Sequence, residues 1–244
     1  MQARQRSARP AETDRREHPP ESLPSIIRLL PPVSDSSRPS GQPDFWDLRY
    51  ERERHLFGAD PNAFVRAEAR RLPSESEVVE LGAGEGRTAA WLARKHGHRV
   101  TAVDFSETAL TTAQEWAEAD DLPLEAVRAD VRTWRPDRQW DAAVVTFLQL
   151  LPDERPHLYR LLKNIVRPGG WVVAEWFRPV HVTGDYERMG PSRADRMAPV
   201  DEVRRAFAAD RIVFVKAVDA HLHEGPHLNG EAAVVRAVVQ VGAA

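Results

Sequence analysis

The stretch VVELGAGEGRTAAWLA, residues 78–93, joins an apolar run to a helix-like repeat through three glycines. Gly82, Gly84 and Gly86 are spaced G-x-G-x-G. Without Cβ atoms, such a backbone turns sharply and lies close against a ligand. Beyond it, Ala89, Leu92, Ala93 and His96 fall at i, i+3, i+4 and i+7, which predicts a helix over 87–95. The unpaired N–H groups at the start of that helix attract an anion. A buried strand, a glycine turn and a helix start, in that order, suit a nucleotide-like cofactor.

The alternation continues outward from this stretch. HRVTAVD is a strand ending at Asp104, and Ser106 caps a helix whose inner face holds Ala109, Ala113, Trp116 and Ala117. LEAVRAD is a strand ending at Asp130, and WDAAVVTFL is another apolar strand. Asp153 is the expected cap of a helix with Leu158, Leu161, Leu162 and Ile165 inward, stopped by RPGG at 167–170. WVVAEWF is a fifth strand. An irregular connection runs to about Pro199, and a short helix carries Val200, Val203 and Phe207. Two last strands are expected near 212–218 and 232–241, around a loop containing HEGPHLNG. Upstream, 44–72 forms one or two helices broken near Gly58 and Pro61, with Asn62 as a cap. Alternation of this kind predicts an α/β fold, a doubly wound and mostly parallel sheet with helices on both faces. Ligands bind such sheets at the carboxyl ends of the strands, where 82–86, Asp104, Asp130 and 146–149 fall.

The 244 residues suffice for one α/β domain with its own core. Residues 1–42 differ from the rest: seven arginines, many prolines and scattered serines among few large apolar residues. That composition predicts a disordered tail before a single domain at 43–244. SIIRLL, at 25–30, is the one tail segment able to bury anything, and a docking segment is the alternative there. A formal net charge of -3 gives no global pull toward nucleic acid or an anionic membrane. No run approaches the ~18 apolar residues of a membrane span, and the N-terminus has no apolar signal core. A cytoplasmic protein without a membrane partner is expected. The absence of cysteine excludes disulfides, thiolate metal sites and cysteine nucleophiles. His221, His223 and His227 are spaced H-x-H-x3-H, but no acid completes a ligand set, so no metal is expected.

Asp104 lies 18 residues after Gly86, at a strand end, where a carboxylate accepts both hydroxyls of a ribose. A dinucleotide fingerprint would need its third glycine at Arg87. Glu80, just before the loop, suits a ligand bearing an amino group and a sulfonium better than one bearing a pyrophosphate. These features favour S-adenosyl-L-methionine over a nicotinamide dinucleotide. A turn partner for Glu80 and a solvated strand end for Asp130 are the plain alternatives.

VELGAGEGR, VTAVDFS, VRADVRTW and IVRPGGWVVAEWF resemble, in order and spacing, four motifs of the class I S-adenosylmethionine-dependent methyltransferases. The resemblance runs over about four-fifths of the chain. It implies a Rossmann-like, seven-stranded sheet with an antiparallel last strand. It also implies that Gly82, Ala83, Gly84 and Gly86 line the methionine portion and that Glu80 anchors its amino end. Asp104 would hold the ribose, Phe105 would pack on the adenine, and Asp130 would take the adenine amino group beside the Val131 backbone. Thr146 and Phe147, ending the fourth strand, complete the expected cofactor site.

FWDLRYERERHLFGADPNAFV resembles the opening of the tellurite-resistance and thiopurine methyltransferase-like group, which acts on soft nucleophiles and small molecules. On that resemblance Trp46, Tyr50 and Phe57 form an aromatic lid; ordinary packing of an N-terminal helix is the alternative. The C-terminal half is similar to a bacterial set of small methyltransferases with F-x-H-L-P, GGP and E-G-x-x-H-x-G segments. Here Gln149 stands at the first histidine, MGP at 189–191 replaces GGP, and Leu228 takes the second histidine position with His227 one place early.

The expected function is methyl transfer to a small-molecule acceptor by in-line displacement, with the protein supplying positioning and a dry site. His181 is the candidate base for a hydroxyl or amine acceptor. Arg178 is the candidate holder of an anionic one, and Tyr50, Phe57 and Gln149 are further acceptor-pocket candidates. TFLQLLP lacks the N/D-P-P-Y/F of nucleic-acid amino methylation, so no nucleic-acid partner is expected. A nucleotide-dependent oxidoreductase and a non-catalytic cofactor-binding protein are the two alternatives, the latter kept open by Gln149 and Leu228. Oligomeric state has no signature in the sequence.

Overall fold

The computed structural model of the chain describes residues 40–242. The expected tail at 1–42, with its SIIRLL segment, lies outside the described residues except for 40–42. Seven strands form one sheet: β1 (Glu77–Leu81), β2 (Arg99–Asp104), β3 (Leu124–Arg128), β4 (Trp140–Thr146), β5 (Val166–Phe177), β6 (Arg211–His223) and β7 (Asn229–Gln240). Their order is β3-β2-β1-β4-β5-β7-β6. β1 to β5 run parallel, and β7 is antiparallel to both β5 and β6. The Rossmann-like expectation, antiparallel last strand included, matches this sheet.

Alternation along β1 explains why helices cover both faces. Val78 points into a cluster with Phe64 and Val65 of α2 (Ala63–Glu68) and Ala89, Leu92 and Ala93 of α3 (Arg87–His96). Val79 and Leu81 point the other way, toward Leu158, Leu161, Leu162 and Ile165 of α5 (Arg155–Ile165) and Val203 of α7 (Val200–Ala206). The remaining helices are α1 (Pro43–Arg52), α4 (Glu107–Ala119) and the single turn α6 (Val180–Thr183). Among the described residues no helix is long and apolar enough to cross a membrane.

Several local expectations shift. His96 is exposed, because α3 ends there at the left-handed cap Gly97. Trp116 and Ala117 are only half-buried, while Leu110 and Thr112 join Ala109 and Ala113 inside. Glu154, not Asp153, precedes α5, and its carboxylate accepts the Leu151 N–H at 2.8 Å. RPGG does end α5, but as an excursion within β5: Trp140 pairs with Val166 and Ala142 with Trp171. The last two strands are longer than expected, leaving only 224–228 as their turn. His221 and His223 therefore sit on a strand, where Glu231 and Asn229 directly opposite bond their Nδ1 atoms at 2.7 and 3.1 Å. No metal-binding group exists among the described residues.

Candidate active site

The sheet order reverses between β1 and β4, and the crevice there opens at the strands' carboxyl ends. A cavity of about 300 Å³ occupies it. Gly82, Ala83 and Gly84 line it from the β1–α3 turn, Asp104 and Phe105 from the end of β2, and Asp130 and Val131 from beyond β3. Thr146, Phe147 and Gln149 line it from the end of β4. Trp46, Tyr50 and Phe57 cover it from α1 and the segment that follows.

Backbone geometry explains the glycines. Gly84 has φ +55°, and a Cβ there would come within 2.7 Å of the Tyr50 hydroxyl. Gly86, at φ +75°, precedes α3 and does not line the cavity; a Cβ would meet Ala113 at 2.7 Å. Gly84 thus lets the aromatic cover approach the loop, and Gly86 lets α3 pack on α4. Phe147 carries the same left-handed backbone, φ 54°, without being glycine. Such strain in a side chain lining a cavity is typical of binding sites.

Asp104 is buried and grips the loop: Oδ2 accepts the Gly84 N–H at 2.8 Å and Oδ1 the Ser106 N–H at 2.9 Å. Burial raises its pKa despite those bonds. Glu80 lies buried behind the glycine turn rather than on the cavity wall, and its Oε2 has no partner. Burial pushes its pKa up to about 8, although Arg87 and the Ala89 backbone pull the other way. Asp130 faces the cavity with both oxygens bonded to Arg132, at 2.8, 3.0 and 2.5 Å. Burial works against its charge, but Arg132 wins and holds its pKa below the usual carboxylate range.

His181 and Arg178 do not reach the cavity. His181 Nδ1 accepts the Ala233 N–H at 3.3 Å, and Nε2 donates to the Met189 carbonyl at 3.0 Å. Burial lowers its pKa, so it is a neutral strut between β7 and the 187–190 turn. Arg178 pairs with Asp219 and contacts Tyr186. The histidine on the cavity wall is His227, whose Nε2 meets Glu53 Oε2 at 2.7 Å.

Other site residues escaped the sequence. Glu85 accepts the His55 N–H at 2.7 Å and the Leu56 N–H at 2.9 Å, holding Phe57 over the cavity. Glu224, in the β6–β7 turn, pairs with Arg87 and accepts from Asn62 Nδ2 and the Ala63 N–H at 3.0 and 2.9 Å. Asn62 also caps α2 through Val65 and donates to Glu175 at 2.7 Å, and Arg236 donates to Glu175 at 2.6 Å. The only signal for any of them was the cap at Asn62; the others act across long chain separations.

A family model described as a methyltransferase domain matches residues 78–170. The ubiquinone biosynthesis O-methyltransferase of Coxiella burnetii is 34% identical over 97 residues, 38% of this chain and 40% of that protein. The chain's matches span 35–40% of the length of its curated relatives. TehB from Haemophilus influenzae superposes with a TM-score of 0.59 at 18% identity, covering 72% of this chain and 60% of that one. A structure titled "Conversion of a Disulfide Bond into a Thioacetal Group during Echinomycin Biosynthesis" gives 0.63 at 20% identity, covering 83% and 94%. The chain shares its fold with both of these structures. The matched residues 78–170 carry the glycine turn, Asp104 and Asp130.

Proposed function

We propose that this protein transfers the methyl group of S-adenosyl-L-methionine to a small-molecule acceptor. Glu80 carries the reading. A buried carboxyl with an orphaned oxygen, its pKa raised to about 8, sits directly behind a glycine turn. A cationic ligand supplies the opposite charge that favours the ionised form of such a group. The residues present fit the cofactor: Gly82 and Gly84 for close approach, and Asp104 for the ribose. Arg49 stacks on Phe45 and Trp46, has no carboxylate partner among the described residues, and lines the cavity beside Tyr50. In this reading it meets the methionine carboxylate.

When bound, the cofactor supplies a methyl group already activated on a sulfonium. The chain's own task is to hold the acceptor and exclude water. Trp46, Tyr50 and Phe57 close the site from above. The Tyr50 phenol is raised well above its ordinary pKa by burial and by Asp104 and Glu85, so it stays protonated and keeps an O–H to donate. His227, oriented by Glu53, is the cavity residue able to take a proton from a hydroxyl or amine acceptor. An anionic soft nucleophile needs no such base. We give this role to His227, which lines the cavity, and not to His181, which does not.

Calorimetry with S-adenosylhomocysteine and with NAD tests the cofactor: the first is expected to bind and the second not. No S-adenosylhomocysteine binding far above micromolar concentration sinks the reading. A labelled methyl donor offered with thiols, tellurite, phenols and amines then identifies the acceptor atom.

A further inference from the structure

The charges around the cavity do not balance at the end away from the glycine turn. Every carboxylate on the wall is engaged: Glu85 by backbone N–H groups, Asp104 likewise, and Asp130 and Glu154 by Arg132. Arg87 is tied to Glu224. Arg188 also lines the cavity, yet it has no ion pair or hydrogen bond among the described residues. The turn that carries it is fixed in place. Glu187 N–H donates to the Glu231 carbonyl at 3.1 Å, and His181 holds the Met189 carbonyl at 3.0 Å. Beside it, Phe57, Phe147, Phe177, Met189 and Leu228 form one apolar cluster, with the Phe147 and Phe177 rings 5.1 Å apart.

An unpaired guanidinium bordering an aromatic chamber recognises a planar molecule with an anionic group, because its fork matches a carboxylate and the walls take up the ring. We propose that the acceptor is a small aromatic acid, that Arg188 binds its carboxylate, and that His181 is a positioning residue which holds the turn presenting Arg188. This rests on the methyl-transfer reading and names the substrate class for it.

The test uses the full chain saturated with S-adenosylhomocysteine and titrated calorimetrically with 2-naphthoate and with 2-naphthamide, which share a shape and differ in charge. Naphthoate is expected to bind about ten-fold tighter or more, the scale of a charge-assisted contact. Arg188→Gln removes that preference at unchanged S-adenosylhomocysteine affinity. His181→Ala reduces it, and His181→Gln, which can donate to Met189 and accept from Ala233, restores it. Equal binding of the two probes, binding of neither, or a preference that survives Arg188→Gln overturns the proposal. Failure of S-adenosylhomocysteine itself to bind strikes the methyl-transfer reading instead, and this proposal with it.

Discussion

The two ends of the cavity are built on different principles. At the glycine-turn end, contacts come from short runs at the carboxyl ends of β1, β2 and β3, and much of the work is done by backbone N–H groups and positive φ angles. At the other end, Phe57, Phe147, Phe177, Arg188 and Leu228 arrive from five separate segments, and side chains do the work. Backbone constraints tolerate few residue types. Side-chain walls tolerate many, so the lining of the apolar end can vary while the backbone-built end stays the same.

A buried polar chain joins the ends: Arg87 to Glu224 to Asn62 to Glu175 to Arg236. It ties the start of α3, beside the glycine-turn end, to the β6–β7 turn at the other end. Glu224→Ala takes away the carboxylate partner of Arg87 and the acceptor of the Ala63 N–H, leaving Arg87 only the Asp60 carbonyl and Asn62 only Glu175. Breaking such a buried pair costs about 3–5 kcal/mol, which for a domain of this size lowers the melting temperature by roughly 10 °C. A thermal scan showing almost no shift would mean the ends are stabilised independently.

At the glycine-turn end, Asp104→Ala removes two backbone contacts along with the proposed ribose contact. At ~1.5–3 kcal/mol for each hydrogen bond to a charge, partly offset by water, affinity for S-adenosylhomocysteine should fall about 100-fold. Calorimetry at unchanged affinity would remove Asp104 from the site. A smaller effect is expected from Gly84→Ala. A positive φ costs a non-glycine residue about 1–2 kcal/mol, and the new methyl meets the Tyr50 hydroxyl. Affinity should drop roughly ten-fold, the equivalent of that strain, and adding Tyr50→Phe should recover part of it. Additive losses in the double mutant would show that the aromatic cover and the loop are not in contact.

The same contrast explains what was legible in the sequence. The sheet, the glycine turn, Asp104 and the Ser106 and Asn62 caps all follow from periodicity or from local backbone chemistry. So did the placement of Asp130 at the crevice, but not its capture by Arg132 two residues on. His181 was singled out by its position after a strand; burial between Ala233 and Met189 turns it into a strut. Glu85 and Glu224 had no local signature, because each acts on residues brought near only by the fold. Arg188 was one exposed arginine among many until the cavity gave it a place.

The mildest and most specific prediction concerns Glu80. Its native pKa of about 8 lies above the ordinary 4.5 of an unfolded chain. Between those values the native state holds a proton that the unfolded state has released. Stability without cofactor therefore falls as pH rises from about 4.5 to 8 and levels off beyond. Glu80→Gln keeps the shape and removes the titration, so it should flatten that decline and melt higher than the parent protein at pH 8. On the proposed role it should also weaken S-adenosylhomocysteine, by removing the negative charge behind the turn that would attract the ligand's ammonium. If that pairing forms, binding at pH 7 expels the proton. The measured heat then depends on the ionisation enthalpy of the buffer in the parent protein and not in Glu80→Gln. Heats independent of buffer in both would mean that Glu80 stays neutral and supports the turn without touching the ligand's charge.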